Sequence, residues 1–365
     1  MKRLAKDEEL LCELIRFKST ADNSGERARA REYVAEIFEE VGLHVIRINK
    51  EDTYSLIATT DGSLRQQLWL CAHIDVVDAP DASFTPIIEK DRIIGRGAID
   101  NKFAIAAFIE AIRAIPDIHD YSFGVMLTGD EELGSPNGAE HIFSKHHIEG
   151  DVAYVPDSGE SWSIETHAKG GLHIEIAVNG KAAHGSKPWL GENAIDKAMG
   201  VVDILRKENN IIVHNGDQYL PTLSIGKIVG GQATNAVAEH CMVTIDYRYI
   251  TNEQKVQFIS VLDEITGSGD ISYTVVADVD PVTNEVTGEQ FTAFKNILTK
   301  HGVRWTESQS CGATDARFFS ANNIPVIVCQ PNGANMHADN EWVSRSDLRT
   351  MKKVVSDMLT QFAKV

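Results

Sequence analysis

His73 and Asp75 stand at the end of an apolar run, Leu68, Trp69, Leu70, Cys71, Ala72. In an extended segment, residues two apart project to the same side, so both can face one site, with Asp75 placed to orient His73. Asp100 follows, between the turn Gly95-Arg96-Gly97 and an apolar run with helical spacing over 103–115. Further carboxylates arrive in Gly129-Asp130-Glu131-Glu132-Leu133-Gly134 and at Asp157, and a second histidine, His337, lies in a polar loop. Two histidines with several carboxylates suit Zn²⁺, and sites of mixed nitrogen and oxygen donors often hold two such ions. Paired ions need a shared ligand, which a carboxylate with two oxygens can be. Together they polarise a carbonyl and activate water at neutral pH. A carboxylate outside the metal shell must then carry the proton. The adjacent pair Glu131-Glu132 suits this division, because consecutive side chains point in different directions.

The elements that carry these residues follow from the hydrophobic periodicity. Strands are expected at 44–49, 54–60, 67–72, 122–128 and 152–155, with helices at 101–115 and 137–146. Strands alternating with helices and joined by short turns predict an α/β sheet covered on both faces. Ligands of such sheets gather outside the carboxyl ends of the strands. His73/Asp75, Glu131/Glu132 and Asp157 each sit at such an end. Near Lys169 the texture changes: strand 172–178, helix 193–206, strands 222–229 and 241–250, helix 252–265, strand 271–276. That order is a ferredoxin-like α+β unit. A helix at 288–301, a strand at 325–329 and a last helix from Ser344 return to the first pattern. The reading is one discontinuous catalytic domain, 1–168 and 277–365, interrupted by an inserted domain, 169–276.

The 365 residues are 43% hydrophobic and carry a net charge of -18, which argues against nucleic acid or an anionic membrane as partner. The amino-terminal residues lack an apolar signal core, and no apolar stretch is long enough to span a bilayer. The five cysteines are scattered and do not form a disulfide framework, which fits a reducing compartment; a cytoplasmic location is expected. His119, His141, His146, His147, His214 and His301 lie in polar or helical surface contexts and are given no role.

The motifs His73-Ile-Asp75, Gly95-Arg-Gly-Ala-Ile-Asp100-Asn-Lys, Gly129-Asp-Glu131-Glu132-Leu-Gly, Asp157 and His337-Ala-Asp-Asn340-Glu341 run in one order over nearly the whole chain. In this the chain resembles the M20 family of metallopeptidases, the group of aminoacylase, acetylornithine deacetylase, succinyl-diaminopimelate desuccinylase and the dinuclear zinc dipeptidases. The resemblance implies a zinc-exopeptidase-like α/β/α catalytic domain with an inserted ferredoxin-like lid and dimerisation domain. It implies two Zn²⁺, with Co²⁺ or Mn²⁺ as substitutes. His73, Asp100 and Asp157 would hold one ion, and Asp100, Glu132 and His337 the other. Glu131 would be the general base and Asp75 the support of His73.

In the lid, the resemblance makes His184 an oxyanion-stabilising residue that reaches across a homodimer interface. It makes Asn235 a substrate contact and Arg248 the partner of a substrate carboxylate. Thr314 and Arg317 fall in the family's substrate loop; for Arg317 a structural ion pair is the competing reading. The implied substrate is a small peptide or an N-acyl amino acid. Asp157, where many deacylases carry Glu, and Asn101, where they carry Met, lean toward the dipeptidase and aminopeptidase side. The short lid and Phe103 lean the other way.

Overall fold

A computed structural model describes residues 4–211, 219–267, 269–283 and 288–365. The chain divides into two compact units. One comprises Met1–Thr166, Thr283–Ser308 and Thr314–Val365; the other comprises His167–Val282 with Gln309–Ala313. The segments 167–168, 277–282 and 309–313, which the sequence reading leaves with the catalytic domain, thus fall in the second unit.

Among the described residues, the first unit carries a six-stranded sheet. Its spatial order is His44–Lys50, Thr53–Thr59, Phe123–Thr128, Arg65–His73, Glu149–Tyr154, Val326–Ile327. The first two junctions are antiparallel. The other three are parallel, so four strands end on the same side of the sheet. The central strand, Arg65–His73, is buried from Leu68 to His73, as expected of a parallel strand covered on both faces. Its Trp69 ring lies across Gly124 and Gly150 on the flanking strands. A Cβ at Gly124 would come within 2.3 Å of that ring, and one at Gly150 within 2.7 Å.

Leu68, Leu70 and Ala72 face a core shared with Lys6–Arg16, Ser24–Glu40, Lys102–Ile112, Glu289–Lys300 and Arg345–Phe362. Lys102–Ile112 is buried at every position, because its sequence is apolar apart from Lys102 and Glu110 and the helices Lys6–Arg16 and Arg345–Phe362 both pack against it. Trp69 and Cys71 point the other way. The short helices Ala139–Lys145 and Ala316–Ala321 pack together there, with Phe143 stacked on Phe318 and set edge-on to Phe319.

A second small sheet joins Ile87–Ile88, Arg92–Ile94, Trp342–Ser344 and Gly333–Ala334. It pairs Ile94 with Trp342, so the turn carrying Asp100 and the loop carrying His337 run side by side.

The second unit has the ferredoxin-like order β-α-β-β-α-β. Its strands are Gly170–Asn179, Thr222–Gly230, His240–Tyr249 and Ile271–Val279; its helices are Ala194–Glu208 and Asn252–Thr266. The sheet is antiparallel throughout, with Gly170–Asn179 and His240–Tyr249 in the centre. Leu172, Ile174, Ile176 and Val178 alternate inward with Val243, Ile245 and Tyr247, giving this unit its own core. The fold is therefore the α/β catalytic domain with an α+β insertion that the sequence predicts. All five cysteines are free. Among the described residues no helix is long and apolar enough to cross a membrane.

Candidate metal centre

The carboxyl ends of the parallel strands bring the polar residues together. His73 ends the central strand and pairs in register with Thr128, the last residue before the Gly129–Gly134 turn. Asp157 follows the strand Glu149–Tyr154, and His337 lies in the loop between Gly333–Ala334 and Trp342–Ser344. That loop bends sharply: Asn335 and His337 have φ of 65° and 64°, the left-handed region that side chains other than glycine adopt uncommonly.

Two groups of donor atoms result, His73/Asp100/Asp157 and Asp100/Glu132/His337, each with its atoms within 4.8 Å of one another. Asp100 belongs to both. Its Oδ1 lies 2.9 Å from His73 Nε2 and its Oδ2 lies 3.0 Å from His337 Nε2. His73 Nε2 is also 3.3 Å from Asp157, and His337 Nε2 is 3.2 Å from Glu132. The other nitrogen of His73, Nδ1, is 3.0 Å from the Asp75 carbonyl. A proton held there leaves the Nε2 lone pair free for a cation. The Asp75 carboxylate accepts the backbone N–H groups of Glu131 and Glu132 at 3.2 and 3.1 Å. Asp75 thus supports a ligand with its backbone and the Glu-Glu turn with its side chain.

Electrostatics favour cations here. Burial pushes the Glu131 carboxyl well up from its usual range, and the charges of Asp157, Asp315 and Asp75 add to the shift against the opposing His73. Glu132 is pushed up to about 7 by burial and by Asp100. Asp157 is also raised, chiefly by burial. His73 moves up although burial opposes it, because the carboxylates of Asp157, Asp100 and Asp75 surround it. A buried cluster with this excess of carboxylates lacks positive charge. Two divalent ions would supply it, and the donor set of imidazoles and carboxylates fits zinc. Glu131 belongs to neither ligand group.

Several residues that sequence reasoning gave no role hold this arrangement in place. Glu341, fully buried, accepts Arg96 Nη1 at 2.7 Å and the N–H groups of Gly97, Ile99 and Asp100 at 3.0, 2.9 and 3.1 Å. It organises the turn that presents Asp100. Asn101 donates to Asp157 at 2.8 Å and to the Pro156 carbonyl at 2.9 Å. Lys102, fully buried, donates to the Phe17 carbonyl at 2.8 Å. Burial lowers its ammonium to about 7, against the pull of Glu341 and Asp75. Both Glu341 and Asn101 lie inside the recognised motifs, which was the available signal.

The remaining candidates are placed as follows. Arg317 is 6% exposed, and its two terminal nitrogens donate to the carbonyls of Thr314 at 3.2 Å and Gly134 at 2.8 Å. Among the described residues no ion pair involves Arg317. Thr314 Oγ1 accepts the Ala316 N–H at 3.2 Å. In the second unit, His184 is exposed and its Nδ1 lies 2.8 Å from Ser186 Oγ. Asn235 is exposed and its carbonyl accepts the Gly185 N–H at 2.7 Å. Arg248 is held along one edge by Asp246, at 2.7 and 3.0 Å. Among the histidines given no role, His301 bonds Asp357 at 2.8 Å, and His214 lies outside the described residues.

A mixed α/β sheet with two carboxylate-rich donor groups sharing one aspartate at its strand ends is the architecture of a metal-dependent hydrolase. Residues 69–361 match the profile of peptidase family M20/M25/M40, and the chain belongs to that family of hydrolases. It is 27% identical to the succinyl-diaminopimelate desuccinylase of Marinobacter nauticus, with 97% of each chain covered. Its fold is similar to that of a Staphylococcus aureus tripeptidase (TM-score 0.81, 21% identity, 97% of each chain). It is also similar to an M20 family metallo-carboxypeptidase from Sulfolobus solfataricus (TM-score 0.78, 19% identity, 98% and 99% covered).

Proposed function

We propose that the protein is a co-catalytic dinuclear metallohydrolase that cleaves an amide bond in small carboxylate-bearing substrates, with short peptides favoured. The observation that carries this reading is the sharing of Asp100 between two donor groups, with the half-buried Glu131 beside them and in neither. His73, Asp100 and Asp157 would hold one cation, and Asp100, Glu132 and His337 the other. Bound there, the pair would polarise the scissile carbonyl and make water acidic enough to act as a nucleophile near neutral pH.

The protein's own residues do the rest. Glu131 takes a proton from the attacking water and returns it to the leaving amine. Lying in neither donor group, its carboxylate is left free to hold that proton between the two steps. Asp75 fixes the two N–H groups of the Glu131-Glu132 turn, and Asn101 orients Asp157. In the second unit His184 would stabilise the developing oxyanion, and Asn235 and Arg248 would contact substrate. Lid-mediated homodimerisation belongs to the same proposal.

A second reading, hydrolysis of an N-acyl amino acid, is favoured by the desuccinylase name of the curated relative. The aspartate at position 157 favours the peptide reading. A panel of di- and tripeptides against N-acetyl and N-succinyl amino acids separates them, run with zinc, cobalt or manganese. Peptide turnover exceeding acyl-amino-acid turnover by tenfold or more in kcat/KM is expected, a difference of about 1.4 kcal/mol. The reverse preference would establish the deacylase, and no chelator-sensitive turnover on either class would refute both.

A further inference from the structure

The Glu131–Leu133 turn is a single three-residue 3-10 turn, too short to hold its own geometry. Its N–H groups at Glu131 and Glu132 are fixed by Asp75. Inside it, Gly134 N–H donates to the Glu131 carbonyl at 2.8 Å, with Gly134 at φ 85°. Leu133 and Ser135 N–H donate to the Asp130 carbonyl at 3.1 and 2.8 Å, and Ile74 N–H donates to the Thr128 carbonyl at 2.9 Å. Side-chain bonds add a second set of restraints, at the entry (Thr128) and at the exit (Gly134 and Ser135). Two side chains from the segment before and within Ala316–Ala321 meet those points. Asp315, 2% exposed, accepts Thr128 Oγ1 at 2.7 Å and also accepts the Ser135 hydroxyl, so that one carboxylate brackets the turn. Arg317 donates to the Gly134 carbonyl at 2.8 Å, and its guanidinium lies 4.4 Å from the centre of the Phe318 ring.

Among the described residues neither Asp315 nor Arg317 has an ion-pair partner, although burying an unpaired charge is costly. The hydrogen bonds of the Arg317 terminal nitrogens end on backbone carbonyls, and only 6% of the residue is open to solvent. Such a side chain is poorly placed to receive a substrate carboxylate and well placed to hold a turn.

We infer that Asp315 and Arg317 are positioning residues for the proton-carrying turn, holding Glu132 in the ligand cluster and Glu131 beside it rather than contacting substrate. The inference rests on the assignment of Glu131 above. It is tested on the full-length protein with Arg317→Met, Arg317→Lys and Ser135→Ala. The readouts are kcat and KM separately, zinc affinity by calorimetric titration of the metal-free protein, and melting temperature. Arg317→Met should lower kcat by about 10²-fold, the scale of loss from misplacing a catalytic group by an ångström, with KM nearly unchanged and zinc binding weakened. Arg317→Lys, which can keep one of the two bonds, should recover part of the loss. Ser135→Ala, which removes only one hydroxyl, should show a milder loss of the same kind and carries the test if Arg317→Met does not fold. A KM rise of that size with kcat intact would make Arg317 a substrate contact. A lower melting temperature with kcat and zinc affinity intact would reduce both residues to ordinary structural roles. Either result would overturn the inference while leaving the role of Glu131 standing, because wild-type turnover and its dependence on Glu131 are measured beside it.

Discussion

At the scale of single residues, the site depends on carboxylates that do two jobs at once. Asp100 presents one oxygen to each histidine, and Asp75 joins the His73 support to the Glu-Glu turn. An asparagine at position 75 would keep one acceptor oxygen but turn an NH₂ toward a backbone N–H that needs an acceptor. Asp75→Asn should therefore weaken zinc binding by about 10- to 100-fold, the usual cost of losing the group that orients a ligand. Competition against a chromophoric chelator measures this, and wild-type affinity in the variant would show that Asp75 does not shape the site. His73, Glu131, Glu132 and Asp157 were legible in the sequence because they follow apolar runs, and Asp100 and His337 because they stand in recognisable motifs. Glu341 was not legible as an organiser, because its partners Arg96, Gly97, Ile99 and Asp100 lie far away along the chain. Arg317 was legible as a residue of the right loop, but not as one whose hydrogen bonds end on backbone carbonyls.

At the scale of elements, the long periodic segments were readable and the short ones were not. The final helix, expected from Ser344, runs Arg345–Phe362 with Ser344 as its cap, and Lys102–Ile112 lies inside the expected 101–115. The four strands of two or three residues that align the Asp100 turn with the His337 loop are too short to show any alternation. Thr306–Ser310 is polar throughout and carries no strand signal. The expected strand 325–329 narrows to Val326–Ile327.

The helix Lys6–Arg16 is fastened to Arg345–Phe362 by Glu8, 1% exposed, which accepts Arg345 at 3.0 and 2.9 Å and Arg349 at 2.6 Å. Burial raises the Glu8 carboxyl, but Arg345, the Ala5 N–H and Arg349 outweigh it and leave it below its usual range. A carboxyl lowered in the folded state stabilises fully above its unfolded value, about 4.3, and loses that contribution as pH falls through the folded value. Glu8→Gln should therefore cost about 2 kcal/mol near neutrality, as for hydrogen bonds to a charged group, and less as the medium approaches pH 3. Urea titrations at both pH values decide this; a cost that grows on acidification would contradict the assignment.

At the scale of the whole molecule, the two units have separate hydrophobic cores, and both ligand groups lie in the first. Cations that bind the folded state stabilise it by mass action, by about 2.7 kcal/mol at a hundredfold excess over Kd. Chelation should therefore lower hydrogen-exchange protection around His73, Asp100 and the 129–135 turn and leave the inner strands Gly170–Asn179 and His240–Tyr249 as protected as before. Equal loss in both units would mean that the ions stabilise more than this site. The proposed chemistry joins a shared-aspartate cation pair to one proton-carrying carboxylate. It is tested most directly by measuring metal content and amide hydrolysis on the same preparations of wild type and Glu131→Gln. Two zinc equivalents per chain are expected in both proteins, with turnover in the variant reduced by about 10³-fold or more. A single equivalent in the wild type, or wild-type turnover in Glu131→Gln, would contradict it.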